Sequence, residues 1–333
     1  MISRLFRSHT ALFGLVMLTS ATAQGASFYI DAAKTNATGC GTQAASACKT
    51  YRYWHDSGCD SNGCGNNVAA GDTIFFKAGT YAGDGAGSYL GVPFDGTAAA
   101  PITLACSDAP GSCVITGSGV TAINWCGLVG IGQQPSVTYC GSNSASYVQV
   151  RGFRIQNVPS GMYGIYITGA SHHVVVEDST VDGAGANRAL LITQQGANAV
   201  TVKDNTFNNC PASDTGCTYI DSTTNLAEVG NSFSGVPTSG NYDCNTLLGV
   251  NNGLLDGNTC VGTADGFDEG MHSSTKLDNV IIRYNRVSGA TSRAFPLSGD
   301  RKDSGTLTGQ NILYKNIAHP NSAGRTGRCI ELY

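Results

Sequence analysis

Charge is what this chain has least of. Asp, Glu, Lys and Arg make up only 13% of its 333 residues, about half the share of roughly 25% usual in soluble proteins. No basic excess is present either: the formal net charge is −4. Nucleic-acid binding needs a basic surface, so that partner class is excluded. Long apolar runs are also missing. The run over residues 11–18 is too short to span a bilayer, and no other is long enough to anchor the chain in a membrane. Paired Cys-x-x-Cys spacing does not occur, which argues against a structural zinc site.

The short apolar run has a different meaning. Arg4 and Arg7 precede it and Ala21-Thr-Ala23 follows it, the charged, apolar and small-residue order of a cleaved leader. Residues 1–23 are therefore expected to be a signal peptide, and the product to be secreted or periplasmic. Removing the two arginines takes the net charge from −4 to −6. An acidic, exported, monomeric protein is expected.

Glycine and cysteine are abundant, at 44 and 13 residues. Surface positions are filled by Gly, Ser, Thr and Asn, a composition suited to many tight turns between short strands. Thirteen cysteines in an exported chain predict disulfides. Close candidates are Cys40/Cys48, Cys59/Cys64, Cys106/Cys113 and Cys126/Cys140. Cys217 and Cys244 are 27 residues apart, one repeat, so stacking could also bring them together. Connectivity stays open, and an odd cysteine such as Cys329 must be left over.

The strongest pattern is a returning asparagine. It appears in Val202-Lys-Asp-Asn205-Thr-Phe207 and Ile282-Arg-Tyr-Asn285-Arg-Val287, with related copies at Asn231, Asn258 and Asn316. Successive spacings are 26, 27, 27 and 31, and Phe153 and Ser179 hold the position in two earlier copies. Such a period marks a stacked-repeat protein. Leucine-rich repeats share the apolar-x-x-Asn-x-apolar string, but no 3.6-residue apolar period follows the Asn. A second strand candidate follows instead, as at residues 164–168, 189–193, 218–220, 246–248 and 295–297. Two or more β-rich strands per coil describe an all-β, single-stranded parallel β-helix with about 26–27 residues per coil. An inward Asn amide can bond its neighbour and the turn backbone, so the repeated Asn reads as scaffold. Residues 24–145 are expected to form an N-terminal cap and first coils, and 146–333 the regular coils. The strand-like end at Cys329-Ile-Glu-Leu-Tyr333 carries no polar cap, so a truncated last coil is expected.

These repeats resemble the right-handed parallel β-helices of pectate-lyase type. Phe28-Tyr-Ile-Asp31, Gly71-Asp-Thr-Ile-Phe-Phe-Lys-Ala-Gly-Thr-Tyr81 and Ala100-Pro-Ile-Thr-Leu104 extend the resemblance over most of the mature chain.

Measured from the repeat position, the scarce charges fall in one window. Arg188 lies 9 after Ser179, Asp214 lies 9 after Asn205 and Asp243 lies 12 after Asn231. Asp265, Asp268 and Glu269 lie 7, 10 and 11 after Asn258; Arg293 lies 8 after Asn285 and Arg325 lies 9 after Asn316. Stacking should gather them on one face, as a groove for an anionic polysaccharide. Three carboxylates within Asp265-Gly-Phe-Asp268-Glu269 repel one another unless neutralised, and calcium does this with oxygen ligands. The segment resembles the Asp-Asp-Gly-Phe-Asp calcium motif of family 9 polysaccharide lyases. Asp265 and Asp268 match its second and third acids, Ala264 replaces the first, and Asp243 stands for an acid from the preceding coil. The resemblance implies a calcium site of Asp243, Asp265 and Asp268, and a lyase acting on a polyuronide such as pectate.

One departure matters. That family's catalytic lysine lies in Gly-Phe-Lys-Leu-Gly-Gly, and the matching run here is Ala294-Phe-Pro296-Leu-Ser-Gly299. Elimination needs a base for the proton α to the carboxylate. The remaining candidates are Arg293, Arg301, Lys302 and His272, the last with a suitable ordinary pKa. His172 and His173, before Val174, are weaker ligand candidates at a strand start. Two other readings stand beside the lyase. Asp265, Asp268 and Glu269 could serve a glycoside hydrolase, and an exported β-helix can bind glycans or act as an adhesin without catalysis.

Overall fold

The structure is a computed structural model describing residues 25–60, 62–82, 90–134, 140–141, 143–184, 186–211, 216–238, 242–269, 277–291, 293–297, 311–320 and 328–332. Of residues 269, 296–297, 320 and 328–332 it describes the backbone alone.

The chain winds into a right-handed parallel β-helix with three strands per coil. In the coil of Asn205 these are Asn198–Lys203, Thr206–Asn208 and Thr218–Asp221. Like strands stack on like, giving a ten-stranded first sheet and nine-stranded second and third sheets among the described residues. The pairing is parallel throughout: Val174 lies on Val200 and Val148, and Val176 on Val202 and Val150. A parallel stack places identical side chains about 4.8 Å apart, so β-branched and aromatic residues form continuous inner columns. Phe207 stacks on Phe233 at 5.2 Å, and Phe267 on Phe295 at 5.7 Å. At the N-terminal side a short helix, Tyr51–Ser57, buries Tyr51 and Trp54 against Phe28, Phe76 and Phe94.

The recurring Asn sits at the corner between the first and second sheets. Its Oδ1 accepts the backbone N–H and the side-chain Nδ2–H of the preceding rung; its own Nδ2 donates to a first-sheet carbonyl. For Asn258 the partners are Asn231 N (2.8 Å), Asn231 Nδ2 (3.0 Å) and Glu228 O (2.9 Å). The same set repeats at Asn231 and Asn285, and Asn316 completes the row. Ser179 is a shorter rung, its hydroxyl accepting from Phe153 N at 3.2 Å. The residue before each rung is left-handed: Gly152, Asp178, Asp204, Gly230, Gly257, Tyr284 and Lys315 all have φ between 49° and 78°. Non-glycine residues are held there at some strain, which the ladder's hydrogen bonds offset.

Among the described residues six disulfides pair twelve of the thirteen cysteines; the side chain of Cys329 lies outside them. The four close pairs named from sequence all form. The one-repeat pairing of Cys217 with Cys244 does not: Cys217 joins Cys210, and Cys244 crosses to Cys260. Within one coil the chain already turns back on itself, so an intra-coil partner lies as near as the stacked one. Such disulfide usage fits an oxidising, extracellular setting.

One inward side chain is an acid. Glu228, in strand Ala227–Val229, is fully buried and accepts a hydrogen bond from Asn245 Nδ2. Burial pushes its carboxyl up to about 8, only partly opposed by that hydrogen bond.

Two tests follow from this architecture. Asn258→Ala removes the acceptor of Asn231 and the donor to Glu228 O, and should cost roughly 3 kcal/mol in urea unfolding; Asn258→Ser should recover part of it, as Ser179 does in its own coil. Glu228 keeps its proton in the folded state when the unfolded chain has lost it. Its stabilisation is complete below pH 4.5, declines as pH rises, and is exhausted above about pH 8. Unfolding midpoints should fall across that window, by up to about 1.4 kcal/mol per pH unit, and Glu228→Gln should flatten the profile.

Candidate functional site

The third sheet turns two rows of side chains outward. In Tyr163–Ile167, Ile165 and Ile167 enter the main core, whereas Tyr163 and Tyr166 join a separate apolar cluster with Ala189 and Ile192. Residues i and i+3 therefore share the outer face. Following the register, Asp243 lies on Asp265 and Thr246 on Asp268. Asp265 in turn lies on Arg293, which sets Pro296 beside Asp268, as the stacking of Phe267 on Phe295 also requires.

Three acids thus converge although 22 residues separate the first two. Asp243, Asp265 and Asp268 are buried (3%, 0% and 5% exposed), and each offers an oxygen within 4.8 Å of the others. Arg293 closes one side. Its backbone N–H and Nε donate to Asp265 Oδ1 at 2.8 and 3.2 Å, and Nη2 donates to Asp265 Oδ2 at 2.6 Å. The same Nη2 lies 3.7 Å from Asp268 Oδ2. Thr246 Oγ1 donates to Asp243 Oδ2 at 2.9 Å. The disulfide Cys244–Cys260 fixes the strand next to Asp243 across the core.

Three carboxylates beside one guanidinium leave negative charge in excess, out of water. Burial, then Asp268 and Asp265, hold the Asp243 carboxyl well above the usual carboxylate range; the Thr246 hydroxyl and Arg293 draw it only partly back. Asp243 Oδ1 is buried with no hydrogen-bond partner among the described residues. Gly216, at φ +64°, adjoins it: a Cβ there would come within 2.8 Å of Thr246 Oγ1 and 3.3 Å of Asp243 Cβ. Hard oxygen donors, surplus negative charge and a space kept clear by glycine suit a cation such as Ca²⁺.

Of the residues named from sequence, Asp243, Asp265, Asp268 and Arg293 meet in this cluster. Glu269 continues the strand Asp265–Glu269, its backbone paired with Leu247; its side chain lies outside the described residues. So do His272, Arg301 and Lys302. His172 and His173 lie on the first sheet, away from the acids. His173 has φ 54° and stacks on Tyr147 at 4.3 Å, beside a shallow groove also lined by Gln149 and Thr201. Tyr147, Ala199, Asn225, Asn252 and Asn279 adopt the same φ sign in their coils, so His173 occupies a scaffold position. Thr246 and Gly216 were not singled out from sequence. The signal for Thr246 was the spacing: Asp243-x-x-Thr246 repeats Asp265-x-x-Asp268 one coil on.

No family model matches the sequence, and no curated protein matches it. Solved structures do. A rhamnogalacturonan lyase is similar over 88% of this chain and 74% of its own, at 13% identity and a TM-score of 0.53. The pectate lyase Pel9A is similar over 94% of this chain and 78% of its own, at 14% identity and a TM-score of 0.52. At such identities the likeness is one of fold: a pectate-lyase-like right-handed parallel β-helix, a scaffold that hosts more than one function. No helix among the described residues is long and apolar enough to cross a membrane.

Arg293 neutralises a fully buried acid, so Arg293→Met should destabilise the fold by roughly 3–5 kcal/mol at neutral pH. Arg293→Lys should recover only part, having no planar fork to match the Asp265 carboxylate. Guanidinium chloride titrations of the three proteins provide the check.

Proposed function

We propose that the protein is an exported polysaccharide lyase that cleaves a uronate-containing polysaccharide, such as pectate, by calcium-assisted β-elimination. The observation that carries this reading is the convergence of Asp243, Asp265 and Asp268 beside Arg293 on the outer face of the third sheet. The disulfides and the leader-like residues 1–23 support export.

In this reading Asp243, Asp265 and Asp268 hold Ca²⁺. When bound, the cation neutralises a substrate carboxylate and so acidifies the proton on the adjacent carbon. Arg293, always charged as a guanidinium, donates to both oxygens of Asp265. Its role is therefore to stabilise the negative charge that develops as that proton leaves. The proton is assigned to His272, imidazole being the side chain whose ordinary pKa suits a base at neutral pH; Glu269 and Lys302 are the competing acceptors. As the proton goes to the base, the C–O bond β to the carboxylate breaks. The leaving oxygen takes a proton from solvent water to become a new hydroxyl, the other fragment keeps a conjugated double bond, and the base returns its proton to solvent.

A panel of polyuronides assayed with calcium and with chelator tests the proposal. An ultraviolet-absorbing unsaturated product, lost with chelator and lost in Asp268→Ala, is expected. Activity retained in Asp268→Ala removes the metal assignment. His272→Ala should lower kcat at least about a hundredfold; if Lys302→Ala or Glu269→Gln does so instead, the base moves to that residue. Calcium must displace the proton favoured on Asp243, so its affinity should rise with pH, and calorimetry in buffers of different ionisation enthalpy should register proton release. New reducing ends without ultraviolet absorbance indicate a hydrolase. Binding without turnover indicates a glycan-binding protein, the reading favoured by Pro296 beside Asp268.

A further inference from the structure

The outer face that carries the acids continues toward the N-terminus as an aromatic stripe. Three coils before Asp243, the same row holds Tyr163, reached through Gly216 and Ala189. That is roughly 14 Å along the axis at about 4.8 Å per coil. Trp125 stands at its edge, 60% exposed, with its ring 6.3 Å from that of Tyr163. An exposed indole is ordinarily unremarkable, but this one is held. Its backbone is left-handed at φ 68°, its carbonyl accepts from the buried Gln133 Nε2 at 3.1 Å, and its neighbour Cys126 is disulfide-bonded to Cys140. A strained backbone pinned through its carbonyl and the cysteine that follows, presenting an apolar ring outward, is the pattern of a ligand clamp.

Arg188 completes the arrangement. Its guanidinium lies 4.6 Å from the Trp125 ring centroid and 5.5 Å from that of Tyr163, and Nη1 donates to Tyr163 Oη at 3.2 Å. The two rings and the hydroxyl orient it, and no carboxylate pairs with it among the described residues. In a chain with so few charges, an oriented and partly buried guanidinium that meets no carboxylate among the described residues is complementary to an anion brought by a ligand; Asp214, at the same offset from the next rung, lies outside those residues.

We propose that Trp125, Tyr163 and Arg188 form a distal subsite that holds one uronate residue of the polysaccharide, its ring against the indole and its carboxylate on the guanidinium. The assignment rests on the polyuronide reading above for its substrate class. It does not depend on the chemistry at the acid cluster. It implies that the polymer runs along the helix axis and that affinity grows with its length.

The two tryptophans make the test direct, because Trp54 is fully buried. Fluorescence quenching by acrylamide therefore reports Trp125. Oligogalacturonates from dimer to octamer are titrated, with calcium, into wild type, Trp125→Phe, Arg188→Ala, Arg188→Lys and Asp268→Asn. Long oligomers should protect the wild-type indole, and Asp268→Asn should retain that response. Arg188→Ala should weaken binding of long oligomers about tenfold or more, raising KM without lowering kcat, and Arg188→Lys should fall between. If wild type cleaves the series while Arg188→Ala and Trp125→Phe match it in KM, the subsite is overturned and the lyase stands. Protection of the indole without turnover overturns the lyase and leaves the subsite. An equal response to neutral oligosaccharides of the same length overturns the anionic assignment. A wild-type protein that neither binds nor cleaves any oligomer overturns both.

Discussion

A chain that coils into a tube must bury a corner of backbone at every turn, and a buried amide without a partner costs more than most contacts return. The asparagine row meets that constraint here. Each amide takes two donors from the rung before it and gives one hydrogen to a carbonyl that would otherwise be stranded. The left-handed residue before each rung aims the side chain inward, and its strain is tolerable because the bonds that follow depend on it. Strand pairing, core columns and the placement of every outward residue depend on this corner holding its register.

The register then decides the chemistry. Asp243 and Asp265 stand one above the other because their strands pair there, in spite of a turn shorter than those of neighbouring coils. Arg293 takes the next place in the row for the same reason. The sparsity of charge elsewhere sharpens the effect, since almost nothing else screens or competes. Excess negative charge is gathered over two adjacent rows, and burial, then Asp268 and Asp265, make Asp243 hold its proton more tightly. A cation would relieve the same excess.

Much of this was legible in the chain. The repeat position and the β-helix follow from a period and a composition; the four close cysteine pairs stood as candidates with connectivity open, and the acids and Arg293 came from the charge window and the resemblance to a lyase motif. The window of charges was legible only as a window, because turn lengths vary: Asp243 lies 12 residues after its rung and Asp265 only 7 after its own. Counting residues cannot say which charge lands on which; strand pairing can. Cys217 illustrates the opposite error. A separation of one repeat suggested a stacked partner, but Cys210 turns back across the same coil and lies within bonding reach. Thr246, Gly216 and Trp125 escaped notice because their roles come from facing a neighbour in another coil. The left-handed residue before each rung escaped for a different reason: Gly, Asp, Tyr and Lys share no chemistry, only a backbone angle.

The ladder also has a sense of direction. Each Asn rung sends its backbone N–H and one Nδ2 hydrogen forward, to the amide oxygen of the next rung, and its other Nδ2 hydrogen back to a first-sheet carbonyl. Aligned amide dipoles polarise one another along such a chain of bonds, so the row behaves as a polar thread through an otherwise oily tube. Along the row itself, a rung therefore offers two hydrogens forward and its amide oxygen backward. The protein thus carries an axial polarity written in uncharged side chains.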